Sequence, residues 1–222
     1  MDPQHHTHPL IKSFLSHSST PETSTEQNTD QPNYWTSDPN SLLTTSTIHS
    51  LILASLLPAL EAAQTEVLFV TCYWAASDSL NRISDSLRKL SSKALASNRT
   101  IRVRICFSSS GLLQKLFHTQ CAAGKVYSPS SEWSKALGLP GPEELKGLDL
   151  QVKSVFLLPI SIIHPKFVVV DRRRAFLPSC NVSWEEWFEG CLELSGPVVG
   201  QFVRFWEEFW ADARDREGSL NT

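Results

Sequence analysis

Residues 164–181 read HPKFVVVDRRRAFLPSCN. His164 and Lys166 stand two apart, Asp171 follows after four apolar residues, and Ser179 and Asn181 come shortly after. In an extended strand successive side chains alternate between faces, so His164 and Lys166 are expected to point the same way. An imidazole and an ammonium then share one small site. That pair suits attack on a phosphorus centre, the imidazole as nucleophile and the cation holding the phosphoryl oxygens. A Lys set among strand residues such as Val168, Val169 and Val170 is costly to bury unless paired, which itself argues for an anion at the site.

Working outward, 162–170 reads as the strand that carries this pair, and 175–179 as its neighbour. Arg172, Arg173 and Arg174 fall in the turn between them, where a solvated turn competes with a phosphate contact. A short last strand is expected at 191–194. Gly196-Pro197 then opens a helix with Val198, Phe202, Phe205, Trp206 and Phe209 on its apolar side. On the N-terminal side, Ile48, Leu51, Ile52, Leu56 and Leu60 recur at helical spacing, with Pro58 as a kink or an early end. EVLFVTCY at 66–73 is β-branched and aromatic and reads as a buried strand. Ser77 caps a helix that lines up Leu80, Ile83, Leu87, Leu90 and Ala94. IRVRICF at 101–107 alternates apolar and basic residues and reads as a strand with one wetter face. A helix start is expected at 112–117, a Gly-, Pro- and Ser-rich loop or short-helix insertion at 124–147, and a strand at 150–157. The whole is an α/β pattern, a mixed β-sheet flanked by helices.

The chain has 222 residues, enough for one domain with tails. Residues 1–40 are rich in Ser, Thr, Pro, Gln, Asn and His and are expected to be a disordered polar tail. The folded lobe spans 41–212, and 213–222 is a frayed C-terminal tail. His5, His6 and His8 lack a carboxylate or Cys partner, so a solvated tail is the better reading than a metal site. The formal net charge is -3, which excludes a global basic surface for gripping nucleic acid. No stretch is long and apolar enough to span a bilayer, since 51–60 is short and interrupted by Pro58. The start of the chain lacks the basic and apolar regions of a secretory signal. Five cysteines, at 72, 106, 121, 180 and 191, sit mostly in apolar strand-like runs and read as buried free thiols of an intracellular, cytoplasmic protein. There is no HExxH, HxxEH or CxxC, no carboxylate pair at ligand spacing and no Gly-rich phosphate loop, so no metal or other cofactor is expected.

His164-x-Lys166-x4-Asp171 followed by Pro178-Ser179-Cys180-Asn181 resembles the HKD motif of the phospholipase D superfamily, HxKxxxxD then GSxN. The order of elements over 42–211 resembles one lobe of such a protein. The resemblance implies a phosphodiesterase, hydrolysing or transferring a phosphodiester of a phospholipid or a nucleic acid through a phosphohistidine intermediate without a metal. It implies that His164 is the nucleophile, which attacks as the neutral imidazole, so that turnover is sensitive to pH in the histidine range. Lys166, Ser179 and Asn181 would bind the nonbridging phosphate oxygens. Ser179 and Asn181 also suit a turn bonded to its own backbone. Asp171 belongs to the motif, in a role that looks more structural than chemical, and a pairing with a neighbouring Arg is the alternative. In WFEGCLELSGPVV, Glu189 is the choice for the family's downstream carboxylate, which would orient His164; Glu186 and Glu193 are rivals. Trp184, Trp187 and Phe188 either line a substrate groove or, as aromatic residues more often do, pack in the core.

The family's site uses two HKD motifs, one His attacking and the other protonating the leaving oxygen. This chain has one: His118 is followed by Thr-Gln and His8 by Pro-Leu. Three arrangements answer this: a homodimer with two His164 side chains face to face, a second lobe in a missing C-terminal half, or a lobe that binds a phosphorylated ligand or partner lobe without turnover. Pro178 stands where the family has Gly, with φ fixed and no N–H to offer. Both a membrane surface and a nucleic acid remain open as the place where the diester is met.

Overall fold

The computed structural model describes residues 42–47, 52–109, 124–129, 132–155, 164–184, 188–212 and 215. All belong to one unit, 33–222. The elements in chain order are β1 (Leu42–Thr47), a π-helical turn (Ile52–Leu56), α1 (Leu57–Ala62), β2 (Glu66–Tyr73), α2 (Asp78–Ala96), β3 (Ile101–Ser109), β4 (Lys125–Val126), α3 (Glu132–Leu137), a 3-10 turn (Pro142–Leu145), β5 (Leu148–Ser154), β6 (Phe167–Val170), β7 (Arg174–Pro178), β8 (Phe188–Ser195) and α4 (Val199–Phe209). They form one eight-stranded mixed sheet in the order β1-β8-β7-β6-β2-β3-β5-β4. Strands β2, β3 and β5 run parallel, and β6, β7, β8 and β1 continue antiparallel from the β2 side. This is the α/β class the sequence patterning calls for.

Period-two alternation divides each strand between two cores. Val67, Phe69, Val103, Ile105, Phe107, Val168 and Val170 pack with Leu57 and Leu60 of α1 and with Leu80, Ile83, Leu87 and Leu90 of α2. The alternate residues Leu68, Val70, Cys106, Phe167 and Val169 meet Val199, Val203 and Trp206 of α4. Both sheet faces are covered, which is why β2 and β6 read as continuous apolar runs. Ser77 caps α2 as expected, its hydroxyl accepting from the Leu80 N–H at 3.2 Å. Gly196, at φ +86°, makes the turn into α4.

Several expectations are corrected. The start of the lobe is a strand, β1, paired antiparallel with β8. The expected helix is present as a π-helical turn running directly into α1, and the change of winding falls just before Pro58, in keeping with a kink there. The expected wetter face of β3 is wetter only at its start: Arg102 is half-buried, whereas Arg104 is 7% exposed and ion-paired to Asp149 and to Asp215. Asp215, in the stretch expected to fray, is itself buried. The insertion at 124–147 contains a small strand, β4, as well as helical turns. The last strand is longer than expected, Phe188–Ser195. The helix start at 112–117, the tail at 1–40, Cys121, Glu186 and Trp187 lie outside the described residues. Cys72, Cys106, Cys180 and Cys191 are buried thiols, none of them in a disulfide. Burial pushes the thiols of Cys106 and Cys180 up to about 12 and that of Cys191 to about 11.

Candidate phosphodiester site

The site lies where the carboxyl ends of the parallel strands β2 and β3 meet the entry to β6, the edge at which open α/β sheets present ligand-binding groups. The β2–β6 ladder runs from Val67↔Val170 to Val70↔Phe167. His164 and Lys166 therefore precede β6 and are not part of the ladder, a correction to the expected strand at 162–170, of which 162–163 lie outside the described residues. The pair is nonetheless brought together. Lys166 Nζ lies 3.3 Å from both His164 Nδ1 and Nε2 and 3.5 Å from the His164 carbonyl. His164 is exposed and Lys166 half-buried, so the ammonium keeps part of its hydration. Full burial begins only with the apolar FVVV strand that follows, so the cost of burying an ammonium is largely avoided.

Ser179 and Asn181 come to the same edge on the chain leaving β7. The β7–β8 register ends at Pro178↔Cys191, and Ser179 adds an N–H to the Gly190 carbonyl at 2.8 Å. Val182 bridges Trp74 in parallel, and the Ala75 N–H donates to the Val182 carbonyl at 2.9 Å. This stitch sets Asn181 against the end of β2, where its Oδ1 accepts the Tyr73 N–H at 3.1 Å. With Oδ1 so engaged, the amide NH2 is the end left to donate. Tyr73 is a contributor that the sequence did not reveal: it acts through its backbone, 108 residues away along the chain, and carries no local signal.

Glu189 lies at this edge as well, but its bond differs from the expected one. Among the described residues the carboxylate accepts from the Ser179 hydroxyl, not from His164. Ser179 Oγ also accepts the Gly190 N–H at 2.9 Å. Ser179 thus serves Glu189 and β8, and the expected hydroxyl donation to phosphate would require that bond to exchange. Glu193, a rival for the role, is paired with Arg174 at 2.7 Å. Cys180 is buried between Ser179 and Asn181; after burial itself, the charge of Glu189 is the next cause raising its thiol. Pro178 closes β7 opposite Cys191 of β8.

Asp171 does not join this group. It stands at the far end of β6, where its carboxylate accepts the N–H groups of Gln64, Thr65 and Glu66 at 3.1, 2.8 and 3.0 Å and the Thr65 hydroxyl at 2.9 Å. The expected pairing with a neighbouring Arg is replaced by these bonds. Burial pushes this carboxyl up, yet the three backbone N–H bonds and the Thr65 hydroxyl outweigh it and hold the group below the usual range. Arg172 is not in a solvated turn but bonds Glu66 at 2.7 Å and Glu207 at 3.1 Å. Of the two readings for Trp184 and Phe188, core packing is excluded, since they are 62% and 75% exposed. Trp184 meets Tyr73 edge to face at 6.1 Å.

Among the described residues no group of three or more His, Cys, Asp or Glu side chains is placed to hold a metal ion. No helix of the described residues is long and apolar enough to cross a membrane. No family model and no curated protein matches the chain. Solved structures do. NucT from Helicobacter pylori is similar at TM-score 0.47 and 14% identity, over 77% of this chain and 96% of that one. Nuc from Salmonella typhimurium, described as a phospholipase D family member, is similar at TM-score 0.44 and 14% identity, over 77% and 94%. Phosphatidylserine synthase from Haemophilus influenzae Rd KW20 is similar at TM-score 0.42 and 14% identity, over 74% of this chain and 36% of that one.

Proposed function

We propose that this chain is a phospholipase D-like phosphodiesterase that works through a phosphohistidine. The observation that supports this most is the contact of Lys166 Nζ with the His164 ring, with the amide of Asn181 brought to the same sheet edge. A neutral His164 nitrogen attacks phosphorus and the bond to the leaving alkoxide breaks. Lys166 and the Asn181 amide stabilise the charge that builds on the nonbridging oxygens. Water or an alcohol then attacks phosphorus and the P–N bond breaks, returning the imidazole. Glu189, held by Ser179, supplies a negative charge at the same edge that favours the imidazolium-like stages.

The leaving alkoxide needs a proton. Within this reading a second lobe, either another copy of this chain or a further lobe of a longer polypeptide, presents the acid from the opposite side. The test is hydrolysis of a generic phosphodiester in excess chelator by the purified chain and by His164→Ala. Turnover that survives the chelator and falls roughly a thousandfold or more in the variant is the expected result. Turnover equal in both removes His164 from the chemistry.

One observation favours a second reading, a lobe that binds a phosphorylated ligand or a partner lobe without turnover. The Ser179 hydroxyl is engaged by Glu189, and the chain carries a single HxK. In that case phosphate-ester binding persists in His164→Ala and no turnover is found in either protein.

A further inference from the structure

The sheet ends unevenly on its β5 side. Strand β4 is two residues long and pairs antiparallel with Ser154 and Lys153, and the Tyr127 N–H extends that pairing by one bond to the Val152 carbonyl at 2.9 Å. The chain then leaves for α3. Residues 148–151 of β5 keep β3 as their strand partner on one side and, among the described residues, have none on the other. Main-chain groups alternate in direction along a strand. Since the Val152 carbonyl faces outward to Tyr127, the N–H and C=O groups of Leu150 and Leu148 face outward too. A cavity of about 360 Å³ lies along this edge. Its walls belong to the two faces of the sheet. Tyr127 and Trp133, packed on the α2 face, make an apolar wall. Arg102, Arg104, Asp149 and Gln151 make a polar one on the face where Asp212 and Asp215 lie.

We infer that the outer edge of β5 docks an extended peptide segment of a partner protein, in which apolar and basic residues alternate. The backbone decides for a peptide: donors and acceptors repeating every second residue are matched by another extended chain and not by a compact small molecule. The walls decide the alternation. In a strand continuing the line of β4, the residue opposite Leu150 points to the side of Trp133, and those opposite Asp149 and Gln151 point to the polar side. Exposure decides the charge. The side chain of Asp149 is 59% exposed, that of Arg102 21% and that of Arg104 8%, so the charge that solvent reaches is negative and favours a cation. Two copies meeting edge to edge would instead bring two Asp149 carboxylates to one short edge, which like-charge repulsion disfavours. This surface shares no residue with the candidate phosphodiester site and does not depend on the function proposed above.

The test is titration of the full chain with a fluorescent peptide of alternating Val and Lys, about six residues long as strands usually are, and with a Val and Glu counterpart. The Val–Lys peptide should bind about fivefold or more tightly than the Val–Glu one. Asp149→Asn should narrow that preference. Leu148→Pro removes one outward N–H at the first position of the strand, where Pro is tolerated, and should weaken binding about fivefold. Thermal midpoints check that both variants fold. In the parent itself, hydrogen exchange at the Leu148 and Leu150 amides should slow when the peptide is added, which needs no variant. The inference is overturned if neither peptide saturates the chain, if the two bind equally, or if Asp149→Asn leaves the preference unchanged. It is overturned as well if those amides exchange at one rate with and without peptide. Slowing that follows protein concentration without peptide would assign the edge to a second copy and overturn it likewise.

Discussion

Asp171 and Arg172 both adopt positive φ, +52° and +54°, in a turn closed by the Arg173 N–H to the Val170 carbonyl at 3.0 Å. That conformation is disfavoured for residues with a Cβ, and more so for Arg than for Asp. The structure offsets it on both sides, with the Asp171 carboxylate on three backbone N–H groups and the Arg172 guanidinium between Glu66 and Glu207. Asp171→Asn should therefore destabilise the fold by about 1.5–3 kcal/mol at neutral pH, the size of hydrogen bonds to a charged group, read as a shift in denaturation midpoint. The folded carboxyl lies below its unfolded value, so its contribution is fully present above the unfolded carboxylate range near pH ~4. It is lost as pH falls from there through the folded value. The gap between parent and Asp171→Asn should narrow as the solution is acidified below that point, and a gap that stays constant would sink the assignment.

At the scale of elements, packing of α2 against the sheet depends on one close approach. A Cβ on Gly147 would lie 2.2 Å from the Ser91 carbonyl of α2, and the Gly147 N–H donates to Ser91 Oγ at 3.0 Å. The contact is with backbone, so a methyl group cannot be accommodated by rotating a side chain. Gly147→Ala should cost about 1–3 kcal/mol through overpacking, with unfolding midpoints as the measure and Gly141→Ala, which has only a Glu144 carboxylate oxygen at 3.9 Å, as the control. The helices α2 and α4 were legible because their apolar residues repeat at helical spacing, and β2 because it is a continuous β-branched and aromatic run. The strand β6 was overextended, because residues next to a strand can share its apolar composition without its ladder. The alternation in β3 was legible as a pattern, but its basic face was misjudged as wet at Arg104, since the carboxylates that pair with it come from elsewhere in the chain.

The whole molecule is tied across its length by that buried pairing. Arg104 Nε donates to Asp215 Oδ1 at 2.7 Å, joining central strand β3 to the chain beyond α4, while Lys153 Nζ reaches the Trp210 carbonyl at 2.8 Å. Removing Asp215 leaves Arg104 with Asp149, whose carboxylate is largely exposed, as its remaining ionic partner among the described residues. Asp215→Ala should lower stability by about 1.5–3 kcal/mol, the size of hydrogen bonds to a charged group, whereas R104L/D215A should lose less than the sum of the two single changes. A double-mutant cycle by chemical denaturation gives the coupling, and strict additivity would show that the pair does not act as a unit.

Composition and period alone determined the α/β class, the order of the elements from α1 to α4 apart from β4, the burial of Cys72, Cys106, Cys180 and Cys191 and the proximity of His164 to Lys166, because each follows from the pattern of neighbours a few residues apart. Tertiary structure decided the rest. It set Asn181 on the Tyr73 amide and Glu189 on Ser179, removed Asp171 to the far end of β6, and left Trp184 and Phe188 in water. Each of those outcomes rests on a contact between strands distant in the chain or on which face of the sheet another element covers. Local pattern carries no information about either.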